Sequence, residues 1–269
     1  MRIFIILLLF CSLSYGQGLA NLQAQRRAVA GGGEPTNQPT FSGVGTLAEG
    51  GGVSSIDVPY YTNTDGRLYI IEVYAVVSVN SATTNATIAT PSGWTLIHNE
   101  TVSDDSADAA TATHAIFGKF SDGTETGNVT VSWTGSNPSS VIGVMSGWDN
   151  VYEGGGVAGA YEDKDDDAHQ LYDTTVATGT GITSPTLTST ATKRLGVSFY
   201  GFGDTRNIAQ NPTNFTSKAY EVGTSIGADS EVASYYVGMP TATTIGTDAL
   251  YYDQASKSAE GVVLALIGN

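Results

Sequence analysis

From Val53 onward the chain alternates short apolar runs with clusters of Gly, Ser, Thr, Asn and Pro. Runs of this length between turn residues predict strands. They fall at SSIDVPY (54–60), RLYIIEVYAVVSV (67–79), GWTLIH (93–98), THAIFGKF (113–120), NVTVSW (128–133) and SVIGVMSGW (140–148). A second set follows at TLTST (186–190), RLGVSFYGFG (194–203), FTSKAYEV (215–222), SEVASYYVG (230–238) and EGVVLALIG (260–268). Nothing between them carries a helical repeat long enough for parallel crossovers. The expected class is therefore all-β, an antiparallel β-sandwich of jelly-roll-like form. The run 67–79 is nearly continuous in apolar residues and should be a central strand covered on both faces.

The first 52 residues read differently. Arg2 precedes an unbroken apolar run at 3–10, and Ser14-Tyr15-Gly16 places small residues where a signal peptidase cuts, so residues 1–16 predict an export signal. That run is too short to span a bilayer, which implies a secreted, extracellular or particle-surface protein with no membrane span after cleavage. Residues 17–52 read as an arm and a Gly-rich linker: Leu19, Leu22 and Val29 sit near helical spacing before Gly31-Gly32-Gly33 and Pro35 end it. A short helical or disordered arm of this kind can dock on a neighbouring subunit, pointing to a homo-oligomer. Residues 53–269 form the expected β-sandwich domain.

Composition narrows the function classes. Charged residues are 14% of the chain, and its polarity comes from Ser, Thr, Asn and Gly, which suit turns and strands more than solvated helices. Cys11, the single cysteine, lies in the leader, so the mature chain has neither disulfide nor thiolate chemistry. The formal charge of −15 becomes −16 when Arg2 leaves with the leader. Such acidity excludes nucleic acid and anionic membranes as partners, because both require clustered Lys and Arg. Cations, cell-surface glycans and other protein subunits fit it.

The ordered set VPY (58–60), DGRLYIIEV (65–73), TPSGWTLI (90–97), HAIFGKFSDGTETGNVTVSW (114–133) and VIGVMSGWDNV (141–151) resembles a module of phage virion or tail proteins and exported bacterial surface proteins. The resemblance covers about residues 53–151, and RLGVSFYGFGD and VVLALIG fit later strands of such sandwiches. It implies a jelly-roll-like fold and a structural or adhesive role, with no catalytic residues.

Candidate binding residues are few. Trp94 follows the turn Pro91-Ser92-Gly93 and leads into an apolar strand, where a large ring anchors a turn onto the core. Trp148, at a strand end, reads first as a core residue and next as a candidate ligand platform, and Tyr235 and Tyr251, from the pairs Tyr235-Tyr236 and Tyr251-Tyr252, are further candidates for stacking. Adjacent strand residues point to opposite faces, so one Tyr of each pair at most meets a given ligand. The stretch GAYEDKDDDAHQLYD (159–173) reads as an acidic loop. Asp163, Asp165 and Asp167, with Asp173 and Glu162 nearby, could direct carboxylates at Ca²⁺, although Ala168 and the lack of a downstream Glu depart from an EF-hand loop. Gly223-Thr224-Ser225-Ile226-Gly227 matches a nucleophile elbow, but His98, His114 and His169 all precede it, so the match is treated as chance. Those histidines show no zinc-type spacing.

The expected function is a non-enzymatic structural or adhesive surface protein of an extracellular or virion particle, requiring no cofactor. A secreted, Ca²⁺-assisted carbohydrate-binding module is the alternative, and would need exposed aromatics on one face. A glycan hydrolase or lyase would need two carboxylates facing each other across a cleft.

Overall fold

Alternation and turn chemistry divide the chain into antiparallel β-sheets as expected, and these stack as two sandwiches within one compact unit. The computed structural model describes residues 35–78, 86–103, 110–170, 181–203, 208–223, 230–246, 248–252 and 258–269. The expected leader, Cys11 and nearly all of the arm lie outside them. Residues Thr36–Asn269 form one compact unit.

The first half contributes β1 Thr40–Val44, β2 Ala48–Gly50, β3 Ser55–Pro59, β4 Leu68–Ser78, β5 Ala86–Ile88, β6 Thr95–Ser103, β7 Ala110–Phe120, β8 Asn128–Gly135 and β9 Ser140–Asp149. The second contributes β10 Tyr161–Gln170, β11 Gly181–Ser184, β12 Leu187–Ser189, β13 Arg194–Gly203, β14 Ile208–Gln210, β15 Ser217–Gly223, β16 Ser230–Met239, β17 Thr243–Ile245, β18 Asp248–Tyr252 and β19 Ser258–Ile267. Among the described residues a 3-10 turn, Val157–Gly159, lies between the halves.

Both halves wind the same way. In the first, a large sheet of order β1-β9-β4-β7-β6, with β2 also paired to β9, faces a small sheet of order β3-β8-β5. In the second, the large sheet is β10-β19-β13-β16-β15, and the small layer consists of β11-β18-β14 and β12-β17. The chain passes repeatedly between large and small sheet, which is jelly-roll-like winding. Every pairing between named strands is antiparallel.

The packing follows from the pattern of side chains. β4 is buried on both faces, as its apolar run requires. Tyr69, Ile71, Val73, Ala75 and Val77 face the layer closed by β3, β8 and β5, which supply Ile56, Val58, Val129, Val131, Trp133, Ala86 and Ile88. Leu68, Ile70, Tyr74 and Val76 face the other way, into a core shared with Leu195, Val197, Phe199, Val262, Leu264 and Leu266 of the second half. A third layer lies between the second large sheet and its small sheets, around Tyr200, Phe202, Phe215 and Leu250. Strand β8 keeps a clean alternation of buried and solvated residues, as expected of an outer sheet with one wet face.

Two expectations need correction. Residues 31–52 are not linker throughout, because β1 and β2 belong to the first large sheet. Phe41 and Val44 pack against the shared core, and Phe41 lies 5.1 Å from the Trp148 ring, so the β9 edge is covered by chain that composition alone marked as flexible. The stretch 159–173 is not an acidic loop either, since residues 161–170 form β10, paired with β19. A neighbour offering free N–H and C=O groups along the β19 edge outweighs the loop-like composition.

A buried His–Glu cluster as the candidate functional site

Among the described residues, the carboxylate and imidazole side chains in the interior between the two large sheets gather at one place. Glu72 sits on β4 between Ile70 and Tyr74, on the face turned to the second half. His114 on β7 and His98 on β6 approach from the neighbouring strands, their rings 5.7 Å apart. Glu260 on β19 and Tyr220 on β15 come from the second half. Glu72, His114 and Glu260 are completely buried, and His98 nearly so.

These five side chains form a chain of contacts. His114 Nε2 lies 2.9 Å from Glu72 Oε1, and Tyr220 donates its hydroxyl to Glu72 Oε2 at 2.6 Å. His114 Nδ1 faces Glu260 Oε2 at 3.2 Å, while His98 Nε2 lies 2.9 Å from Glu260 Oε1. His114 thus stands between two carboxylates, one from each half. Nearby, the Ser140 and Ser230 hydroxyls meet at 2.8 Å across the same boundary.

The electrostatics follow from burial set against pairing. Burial alone would depress His114, but its contacts with Glu260 and Glu72 overcome that and raise it to about 9. Burial likewise works to raise Glu260, yet hydrogen bonding from His114 and His98 brings it to about 2. For Glu72 burial wins, and its carboxyl is raised despite His114 and Tyr220. Tyr220 is pushed well above its ordinary range, first by burial and then by the adjacent Glu72. Among the described residues, His98, His114 and Glu260 form the group of ligating type, with one donor atom from each lying within 4.8 Å of the others.

Strand register shows that the cluster is where the two halves differ. Leu68 pairs with Phe120 and Trp148, and Leu195 pairs with Gly238 and Leu266. Counting along those ladders sets Glu72 against Phe199, His114 against Val232, and Glu260 against Ile142. His98 and Tyr220 also correspond, each just after a bulge, between Leu96 and His98 in one half and between Lys218 and Tyr220 in the other. The bulge turns each side chain toward the shared interior. Each cluster carboxylate or imidazole on β4, β7 and β19 thus occupies a position that is apolar in the other half.

The residues singled out from sequence lie elsewhere. Trp94 is buried as an anchor: its N–H closes the turn onto Pro91 O at 3.1 Å, with Gly93 supplying the positive φ of 78°. Trp148 is fully buried, its Nε1 donating to Ser146 Oγ at 3.0 Å and its ring between Phe41 and Tyr236. It offers no open face for a ligand and is a core residue, because β1 covers this strand end. Tyr235 is also buried, in the outer layer of the second half, with its hydroxyl donating to Asn211. Its neighbour Tyr236 points into the shared core, as strand alternation demands. Tyr251 lies on β18 opposite Gly181, and its side chain is outside the described residues. The same holds for the side chains of Asp163, Asp165, Asp167 and His169 on β10, while Asp173 and residues 224–227 of the elbow match are outside altogether.

Sequence reasoning treated His98 and His114 as single residues without a partner, and the fold brings them together from adjacent strands. The available signal was Glu72, a charge inside an apolar run expected to be covered on both faces, which therefore had to find a buried partner. No protein-family model, curated protein or solved structure matches the chain. Among the described residues no helix is long and apolar enough to cross a membrane.

Proposed function

We propose that this chain works by contact and not by turnover, as a secreted structural or adhesive subunit at the surface of an extracellular or virion particle. One observation carries the reading: its most reactive described side chains are sealed between two like sandwiches and committed to one another. What the described residues offer to a partner is strand edges, turns and the wet faces of small sheets. The acidic surface suits protein subunits or neutral glycans over polyanions. The ring-stacking alternative has less support, since Trp94, Trp133 and Trp148 are all buried.

The test is density-gradient fractionation of the native source, with mass spectrometry of the N-terminal peptide in each fraction. Recovery in dense particles at fixed stoichiometry, with a peptide starting near Gln17, is the expected result. Confinement to the soluble supernatant would overturn the particle reading and turn attention to a free secreted binder.

A further inference from the structure

We propose that His98, His114 and Glu260 form a structural site for a divalent cation of the zinc class, which fastens the two sandwiches together from inside. This does not rest on the particle reading.

Three features of the cluster lead there. The first is the orientation of His114: Glu72 stands at its Nε2 and is itself held by the Tyr220 hydroxyl. A carboxylate at one ring nitrogen fixes that nitrogen as the donor and presents the other as a lone pair, the usual arrangement behind a metal-bound imidazole. In that neutral tautomer Nδ1 confronts Glu260 Oε2 at 3.2 Å, lone pair against lone pair, so the gap takes either the second ring proton of an imidazolium or a cation in its place. Nδ1 is buried and makes no well-directed hydrogen bond.

The second feature is the donor set. Glu260 turns Oε1 to His98 Nε2 at 2.9 Å and Oε2 to His114 Nδ1 at 3.2 Å. Two imidazoles and a carboxylate are a three-residue set that zinc accepts, with a fourth position left for a small ligand, and the nitrogens disfavour Ca²⁺ or Mg²⁺. Bonds of about 2.0–2.1 Å place neighbouring ligand atoms about 3.3 Å apart in a tetrahedron, close to the two nitrogen–oxygen gaps here, and binding would draw together ligand atoms that lie within 4.8 Å of one another.

The third is charge. Glu72 and Glu260 bring two negative charges into an interior where unbalanced charge is costly. A divalent cation with both histidines neutral balances them fully, and without it the cluster needs two added protons for the same neutrality. The ligands come from both halves, His98 and His114 from one and Glu260 from the other. A bound ion would therefore be a clasp, and its binding energy would be stability of the joined molecule.

Because the site is buried, exchange requires opening, and the test is refolding of the tag-free full chain. The protein is unfolded in denaturant with a chelator, then refolded with Zn²⁺, with Co²⁺, or with chelator alone, and dialysed. The expected result is about one metal per chain, visible d–d absorption of four-coordinate Co²⁺, and an unfolding midpoint that climbs with each tenfold rise in free Zn²⁺. Glu260→Gln and His98→Gln should abolish the cobalt absorption. Phe199→Leu, in the same core but away from the ligands, should retain it, so that loss of signal is not mistaken for poor folding. Refolded wild type that retains no metal, shows no cobalt absorption and melts identically with Zn²⁺ and with chelator would overturn the proposal. The cluster would then be neutralised by protons alone.

Discussion

Glu125 shows how much a single side chain can organise. It sits in the acidic turn after β7, where Ser121 Oγ donates to Oε2 at 2.6 Å, the Asp122 N–H donates to Oε1 at 3.1 Å, and Lys119 Nζ lies 3.0 Å from Oε1. Burial works to raise its carboxyl, but those donors overcome it and lower it to about 2. A carboxyl depressed in the folded state contributes stability above its unfolded value of about 4.3, and that contribution disappears as the pH falls toward 2. Glu125→Gln should therefore lose about 1–3 kcal/mol at pH 7 and show a shallower decline from pH 5 to pH 2 than the wild type. Urea midpoints measured across that range test this, and parallel acid profiles would contradict it. Other buried carboxylates titrate in the same window, so it is the difference between the two profiles that reports on Glu125.

Strand elements were the most legible part of the chain, because apolar runs bounded by turn residues have one economical outcome. β4 was readable as central from its composition, and β6 to β9, β13, β16 and β19 from theirs. Short strands such as β2, β5, β14 and β17 hold three residues each, too few for alternation to register. β1 and β10 exist because an edge was open beside β9 and β19, a tertiary cause that local pattern does not carry. The likeness of the halves was hidden for a similar reason. Arg67-Leu68 and Arg194-Leu195 correspond, and both arginines are buried beside carboxylates, Asp149 and Glu162, but facing positions elsewhere exchange large for small. Tyr74 and Gly201 are such a pair: a Cβ at Gly201 would run into the Tyr74 ring across the interface. Gly201→Ala should thus destabilise the protein by about 1–3 kcal/mol through overpacking. Guanidinium unfolding measures it, and the double variant Gly201→Ala/Tyr74→Leu should recover part of the loss.

At the scale of the molecule, the question is whether two sandwiches of like winding behave as two proteins or one. The core between them is not a wet domain boundary. Outside the His–Glu cluster and a few buried serines it is a continuous apolar core, drawing on β4, β7 and β9 from one half and β13, β16 and β19 from the other. Main-chain bonds reinforce it: Asn37 N–H donates to Asn269 O at 2.8 Å, Tyr152 N–H to Ile267 O at 2.9 Å, and Asn269 N–H to Asn150 O at 3.0 Å. The start of the described chain and the segment joining the halves are both tied to the last strand. Separating the halves would expose that apolar face and strand Glu72 and Glu260 without their cross-boundary partners, a cost borne by neither half alone. Thermal unfolding should therefore be a single transition, with calorimetric and van't Hoff enthalpies in agreement, despite a length at which chains often split. Two resolved transitions would mean that each sandwich survives the other's loss, and would reduce the buried cluster from a shared fastening to a local feature of one interface.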